Sequence, residues 1–141
     1  MPRSNIWWMR FGVVSQAETK TILIVEDNDL NMRLFNDLLR ASGYQTLAST
    51  DGREALALTE SHHPDLILMD MRLPGMSGLD ITRMIKAREH LRHIPVVAIT
   101  ASALKGEEQM YLDEGCDAFI AKPISIPRFL DTIERLLAEN A

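Results

Sequence analysis

Glu26, Asp27, Asp70, Thr100 and Lys122 each stand at the end of a short apolar run, and their types are those that phosphoryl transfer needs. Three carboxylates gathered at one rim repel one another and raise one another's pKa values. A hard divalent cation removes that conflict. Mg²⁺ prefers oxygen ligands and is typically held by one or two carboxylates plus phosphate oxygens, so an acidic site that accepts a phosphoryl group calls for Mg²⁺ as a bridge. Lys122 adds a point positive charge on a flexible stem, and Thr100 adds a hydroxyl donor. The Asp70 carboxylate is then the in-line nucleophile, which gives an aspartyl phosphate.

Such a cluster needs a sheet whose strands all end on the same side. Thr21 to Val25 is a continuous aliphatic and β-branched run, read as a strand buried on both faces. Tyr44 to Ala48 is a weaker second strand and Asp65 to Asp70 a third. Val96 to Ile99 is a fourth strand ending in Thr100, and Ala118 to Ala121 is a fifth, stopped by Lys122-Pro123. Between them lie helical patterns. Leu30, Leu34, Leu38 and Ala41 form an apolar stripe, widened by Phe35 and Leu39 and closed by Gly43. Asp51 with Glu54 reads as a capping box for a helix to about Ser61. Leu79 to Ala87 places Ile81, Met84 and Ile85 inward, and Gly106 to Glu114 is shorter and more polar. Ser125 is the expected N-cap of a last helix whose stripe is Phe129, Leu130, Ile133, Leu136 and Leu137. Strands alternating with helices predict right-handed crossovers, a parallel sheet and an α/β doubly wound sandwich. In that architecture ligands bind beyond the C-terminal ends of the strands, where all five polar residues fall.

Composition narrows the function classes. The 141 residues are 46% hydrophobic and 25% charged, the balance of one globular domain. A net charge of -5 without a Lys/Arg stripe argues against nucleic-acid binding. Cys116 is the one cysteine, so no internal disulfide forms, and a cytoplasmic setting is expected. Residues 1–18 carry both tryptophans, Trp7 and Trp8, but Arg10 interrupts the apolar run. Neither half reaches the ~20 residues of a membrane span, so the segment is expected to be an extension, disordered or non-native, with no membrane insertion. His62, His63, His90 and His93 lack the helical spacing of a zinc motif and read as surface residues.

The strings Ile22-Leu23-Ile24-Val25-Glu26-Asp27-Asn28, Asp65-Leu66-Ile67-Leu68-Met69-Asp70, Leu73-Pro74-Gly75-Met76-Ser77-Gly78, Pro95-Val96-Val97-Ala98-Ile99-Thr100-Ala101 and Lys122-Pro123, in that order, resemble the receiver domain of two-component response regulators. The resemblance assigns residues 19–141 to one receiver domain with no output domain. It implies a five-stranded sheet of order 2-1-3-4-5, the flavodoxin-like receiver fold. Asp70 would accept phosphate from a sensor histidine kinase or a histidine phosphotransfer protein. Mg²⁺ would be bound by Asp27 and Asp70 directly, by Glu26 mostly through water, and by the backbone carbonyl of Arg72. Thr100 and Lys122 would act with Asp70 in the transfer. Thr100 and Phe119 match the family's switch pair, with Phe119 lacking the hydroxyl of the Tyr often found there, and Pro123 matches a cis proline. Asn31, Pro123 and Ile124 would meet the phosphohistidine partner. Glu26 to Met32, His93 to Val97 and Lys122 to Ser125 are similar to a stand-alone regulator of a cell-division phosphorelay. A monomer or weak dimer is expected, acting through protein contacts.

Taken singly, each residue has an ordinary role: Asp27 as a helix cap, Lys122 as a solvated charge, Phe119 as core. Their coincidence at successive strand ends reverses those odds. A flavin module would need a Ser/Thr/Gly phosphate loop after the first strand, where this chain is acidic. An aspartate-dependent phosphatase normally has a second Asp two residues on, where this chain has Arg72. Turnover of external phosphoesters is therefore not expected, although slow hydrolysis of the chain's own acyl phosphate is. The remaining alternative is a pseudo-receiver scaffold that works without phosphate.

Overall fold

The computed structural model describes residues 19–101 and 106–140. The expectations for residues 1–18, Trp7 and Trp8 included, lie outside the described residues. Among the described residues ten elements alternate: β1 (Thr21–Val25), α1 (Asp29–Ala41), β2 (Gln45–Ser49), α2 (Gly52–His62), β3 (Leu66–Asp70), α3 (Gly78–Lys86), β4 (Val96–Thr100), α4 (Glu107–Asp113), β5 (Ala118–Ala121) and α5 (Ile126–Glu139). All strand pairings are parallel, in the order β2-β1-β3-β4-β5. The doubly wound sandwich expected from the alternation, with the strand order implied by the resemblance, is the fold observed.

Side chains alternate across the sheet and feed two cores. Leu23, Val25, Ile67, Met69, Val96 and Ala98 meet Ala55 of α2, Ile81 and Ile85 of α3 and Tyr111 of α4. Ile22, Ile24, Leu66, Leu68, Val97 and Ile99 meet Phe35 and Leu39 of α1 and Phe129, Ile133, Leu136 and Leu137 of α5. The Phe35 and Phe129 rings stack at 5.3 Å, fastening α1 to α5. Burial on both faces explains why β3 and β4 are buried at every position, whereas the edge strand β2 is half exposed.

Two local expectations are corrected, and a third is met in position alone. Leu30 is 77% exposed, Leu34 39% exposed and Ala41 exposed, so the buried line of α1 is Phe35 and Leu39. The two large residues that widened the stripe are its true centre. Asp51 accepts the N–H groups of Arg53 and Glu54 at 2.7 and 3.3 Å, yet its own N–H donates to Ser49 Oγ at 3.2 Å. The reciprocal half of the capping box is thus replaced by the neighbouring strand end. Ser125 occupies the N-cap of α5 without a side-chain cap bond; Pro127 lies in the first turn.

At the start of α3 the chain passes hard against β3. A Cβ on Gly78 would lie 2.1 Å from the Asp70 carbonyl oxygen, far inside van der Waals contact. Ala is a better helix former than Gly by about 1 kcal/mol, but overpacking against backbone costs ~1–3 kcal/mol. The clash wins because a main-chain carbonyl cannot rotate aside as a side chain can. Gly78→Ala is expected to lower the urea midpoint. A midpoint equal to or above wild type would contradict this.

Candidate functional site

The site is built from the C-terminal ends of β1, β3, β4 and β5. Register fixes their heights: Val25 pairs with Met69, Asp70 with Ile99, and Thr100 with Ala121. Glu26, Asp70, Thr100 and Lys122 therefore emerge beside one another at one rim. The Lys122 N–H donates to the Thr100 carbonyl at 2.7 Å, and the Met71 N–H donates to the Ile99 carbonyl at 3.0 Å, so main-chain bonds continue past the strand ends. The Lys122-Pro123 peptide is cis, as expected.

One ligand oxygen from each of Glu26, Asp27 and Asp70 falls within 4.8 Å of the others. Glu26 is 1% and Asp70 5% exposed, whereas Asp27 is exposed. The crowd is held from several sides. The Arg72 N–H donates to Asp70 Oδ1 at 2.9 Å, the Asn28 N–H donates to Glu26 Oε2 at 3.1 Å, and Lys122 Nζ donates to Glu26 Oε1 at 3.3 Å. Burial holds the Asp70 carboxyl above the ordinary Asp range; the Arg72 N–H opposes that rise, the Glu26 carboxyl adds to it, and the Lys122 ammonium partly offsets it. An all-oxygen, mostly carboxylate donor set whose members disfavour one another's charge fits a hard divalent cation.

Thr100 is buried at the end of β4. Phe119 stands apart from the acidic cluster: half buried, it stacks on Tyr111 at 5.8 Å, bridging β5 and α4. Asn31 lies in the first turn of α1 with its N–H on Asn28 Oδ1 at 2.9 Å. Pro123 is exposed, and Ile124 packs against the α1/α5 core. Two contributors escaped the sequence reading. Gly78, behind the Asp70 carbonyl, was legible only as a glycine at a helix start. Ser49 is a further polar residue at a strand end; its carbonyl accepts the Glu26 N–H at 3.0 Å and its buried hydroxyl donates to the Asp51 carbonyl at 2.8 Å.

This geometry on this fold defines a class. The response regulator receiver domain model matches residues 22–134, and the chain belongs to that family of phosphoacceptor domains. More particularly, it is 56% identical over 121 residues to the polar-differentiation response regulator DivK of Brucella ovis, spanning 86% of this chain and 98% of the relative. The Brucella anthropi protein of the same name is 54% identical over 120 residues, 85% and 98% of the two chains. Among solved structures, the receiver domain of a sensor histidine kinase from Pseudomonas aeruginosa has TM-score 0.79 and 36% identity over 85% of this chain and 98% of its own, and that crystal holds a magnesium ion in the active-site cleft. The chemotaxis response regulator CheY4 of Vibrio cholerae, at TM-score 0.78 and 24% identity over 84% and 98%, shares the fold. Among the described residues no helix is long and apolar enough to cross a membrane.

The raised Asp70 pKa has a signed consequence for stability. A carboxyl that is harder to ionise when folded contributes fully below its unfolded pKa, and that contribution is lost as pH rises through the folded pKa. Without divalent cation, Asp70→Asn should therefore have the higher urea midpoint at pH 7, and the gap should close as pH falls toward ~4, the unfolded Asp value. A gap that widens on acidification would contradict the assignment.

Proposed function

We propose that the chain is a phosphorylation-controlled interaction switch: Asp70 accepts a phosphoryl group from a histidine kinase or histidine phosphotransfer protein, and the phosphate changes which partners the chain binds. The observation that carries this reading is the buried Asp70 carboxylate in ligand distance of Glu26 and Asp27, with Lys122 beside them. Asp27, Asp70 and the Arg72 carbonyl would hold Mg²⁺, with Glu26 acting through water. When bound, the ion supplies positive charge to the equatorial phosphoryl oxygens and relieves the carboxylate repulsion.

The protein's own groups do the rest. The Arg72 N–H orients Asp70 through Oδ1, leaving the other carboxylate oxygen to form the new O–P bond as the donor's P–N bond breaks. Burial strips Asp70 of water, which sharpens every charge interaction around it. Lys122 exchanges part of its attraction to Glu26 for the new phosphate, and the Thr100 hydroxyl donates to it. Those two residues end β4 and begin the turn after β5, so their movement biases the face formed by α4, β5 and α5, with Phe119 as the ring that answers Thr100. The chain hydrolyses its own acyl phosphate slowly.

Leu30 and Leu34 lie exposed on α1 and supply an apolar surface for the phosphohistidine partner, with Asn31, Pro123 and Ile124 among its contacts. The signal leaves through binding, in the manner of a phosphorelay intermediate. The high identity to DivK supports a role in a cell-division relay.

Intact-mass spectrometry after incubation with acetyl phosphate tests the chemistry. One Mg²⁺-dependent phosphoryl adduct is expected, absent from Asp70→Ala, and no adduct would favour the phosphate-independent scaffold. In the same assay Leu30→Asp should label normally, but accept phosphate from a phosphorylated histidine partner at least ~10-fold more slowly. Equal transfer rates would remove α1 from the docking surface.

A further inference from the structure

At the opposite end of the strands, α2 and the α3–β4 connection bring together residues far apart in sequence. His63 caps the C-terminus of α2 in the left-handed region, at φ 47°, and its ring centre lies 6.1 Å from that of His90, with the planes tilted by 55°. Both side chains are exposed. Behind His90 stands Glu60, whose Oε1 lies 2.6 Å from His90 Nε2, and Arg88 donates to Glu60 Oε2 at 2.5 Å. The hydrogen bond with His90, first among the causes, and the Arg88 guanidinium hold the Glu60 carboxyl below the usual Glu range.

An ionised Glu60 can only accept, so the proton between the two residues belongs to His90 Nε2. In neutral His90 the lone pair is then on Nδ1. This is the arrangement in which a carboxylate fixes the tautomer of a metal-bound imidazole and raises its basicity. With metal–nitrogen bonds of about 2.0–2.1 Å, two imidazoles on one ion have ring centres roughly 5 to 6 Å apart, so a small rotation of two exposed rings closes the observed separation. Arg88 keeps Glu60 behind His90 rather than on the ion. His62 is turned to other work, its Nδ1 lying 2.9 Å from Ser61 Oγ.

We propose that His63 and His90, the latter oriented by the Glu60–Arg88 pair, form a second cation site for a borderline divalent ion of the Zn²⁺ class, with water completing the coordination. Imidazole donors select such ions over Mg²⁺, so Mg²⁺ held at the acidic rim leaves this site open. A bound ion would tie α2 to the connection before β4, two segments joined at this end by the Glu60 contacts to Arg88 and His90.

Calorimetric titration of the full chain with Zn²⁺, in millimolar Mg²⁺ to occupy the acidic rim, tests the site. One Zn²⁺ per chain is expected. His90→Ala and His63→Asn, the latter chosen because Asn tolerates the left-handed backbone, should abolish saturable binding. Glu60→Gln should weaken it ~10-fold, while His62→Ala, His93→Ala and Asp70→Asn should leave it unchanged. Circular dichroism checks that each variant folds, and ¹⁵N shifts of the imidazoles should report coordination at His90 Nδ1. Absence of saturable binding, or binding that survives loss of both His63 and His90, would overturn the proposal.

Discussion

The crowding of three carboxylates around Asp70 is the constraint on which the rest of the molecule turns. Nothing in apolar packing asks for Glu26, Asp27 and Asp70 to share a few ångströms, and burial makes their mutual repulsion worse. The crowd persists because its two buried members are pinned by main chain, Asp70 by the Arg72 N–H and Glu26 by the Asn28 N–H, above strand ends set by the parallel register. Lys122 sets a positive charge against this group, through Glu26. A fold that spends core stability to hold such an arrangement is poised to gain from whatever cancels the charge.

Parallel pairing is what makes this possible. Every strand enters from the same side, so each C-terminal end can deliver a polar residue to one rim while its interior residues fill two cores. Gly78 shows how tightly rim and core are joined, since α3 starts against the very carbonyl of Asp70. The Tyr111–Phe119 stack likewise joins β5 to α4.

Most of this was legible in the sequence, for physical reasons. Doubly buried parallel strands read as unbroken aliphatic runs, and a charged residue at the end of such a run has nowhere to go but the rim. Two kinds of feature were not legible. Amphipathic period locates an apolar face without saying which half meets the core: Leu30 and Leu34 fit the stripe of α1 as well as Phe35 and Leu39, but the larger ring of Phe35 reaches Phe129 and settles the rotation. Contacts across long sequence separations are equally silent. The backing of Asp70 by Gly78, the replacement of half the Asp51 capping box by Ser49, and the meeting of His63 with His90 depend on crossovers that no local spacing encodes.

The measurement that bears most directly on the carboxylate cluster is a calorimetric Mg²⁺ titration of wild type, Asp27→Asn and Asp70→Asn from mildly acidic to neutral pH. If the crowded carboxylates form a cation site, wild type binds one Mg²⁺, binding weakens as Asp70 takes up its proton, and either substitution removes most of the affinity. Mg²⁺ binding that ignores both substitutions, or no saturable binding at neutral pH, would contradict the account.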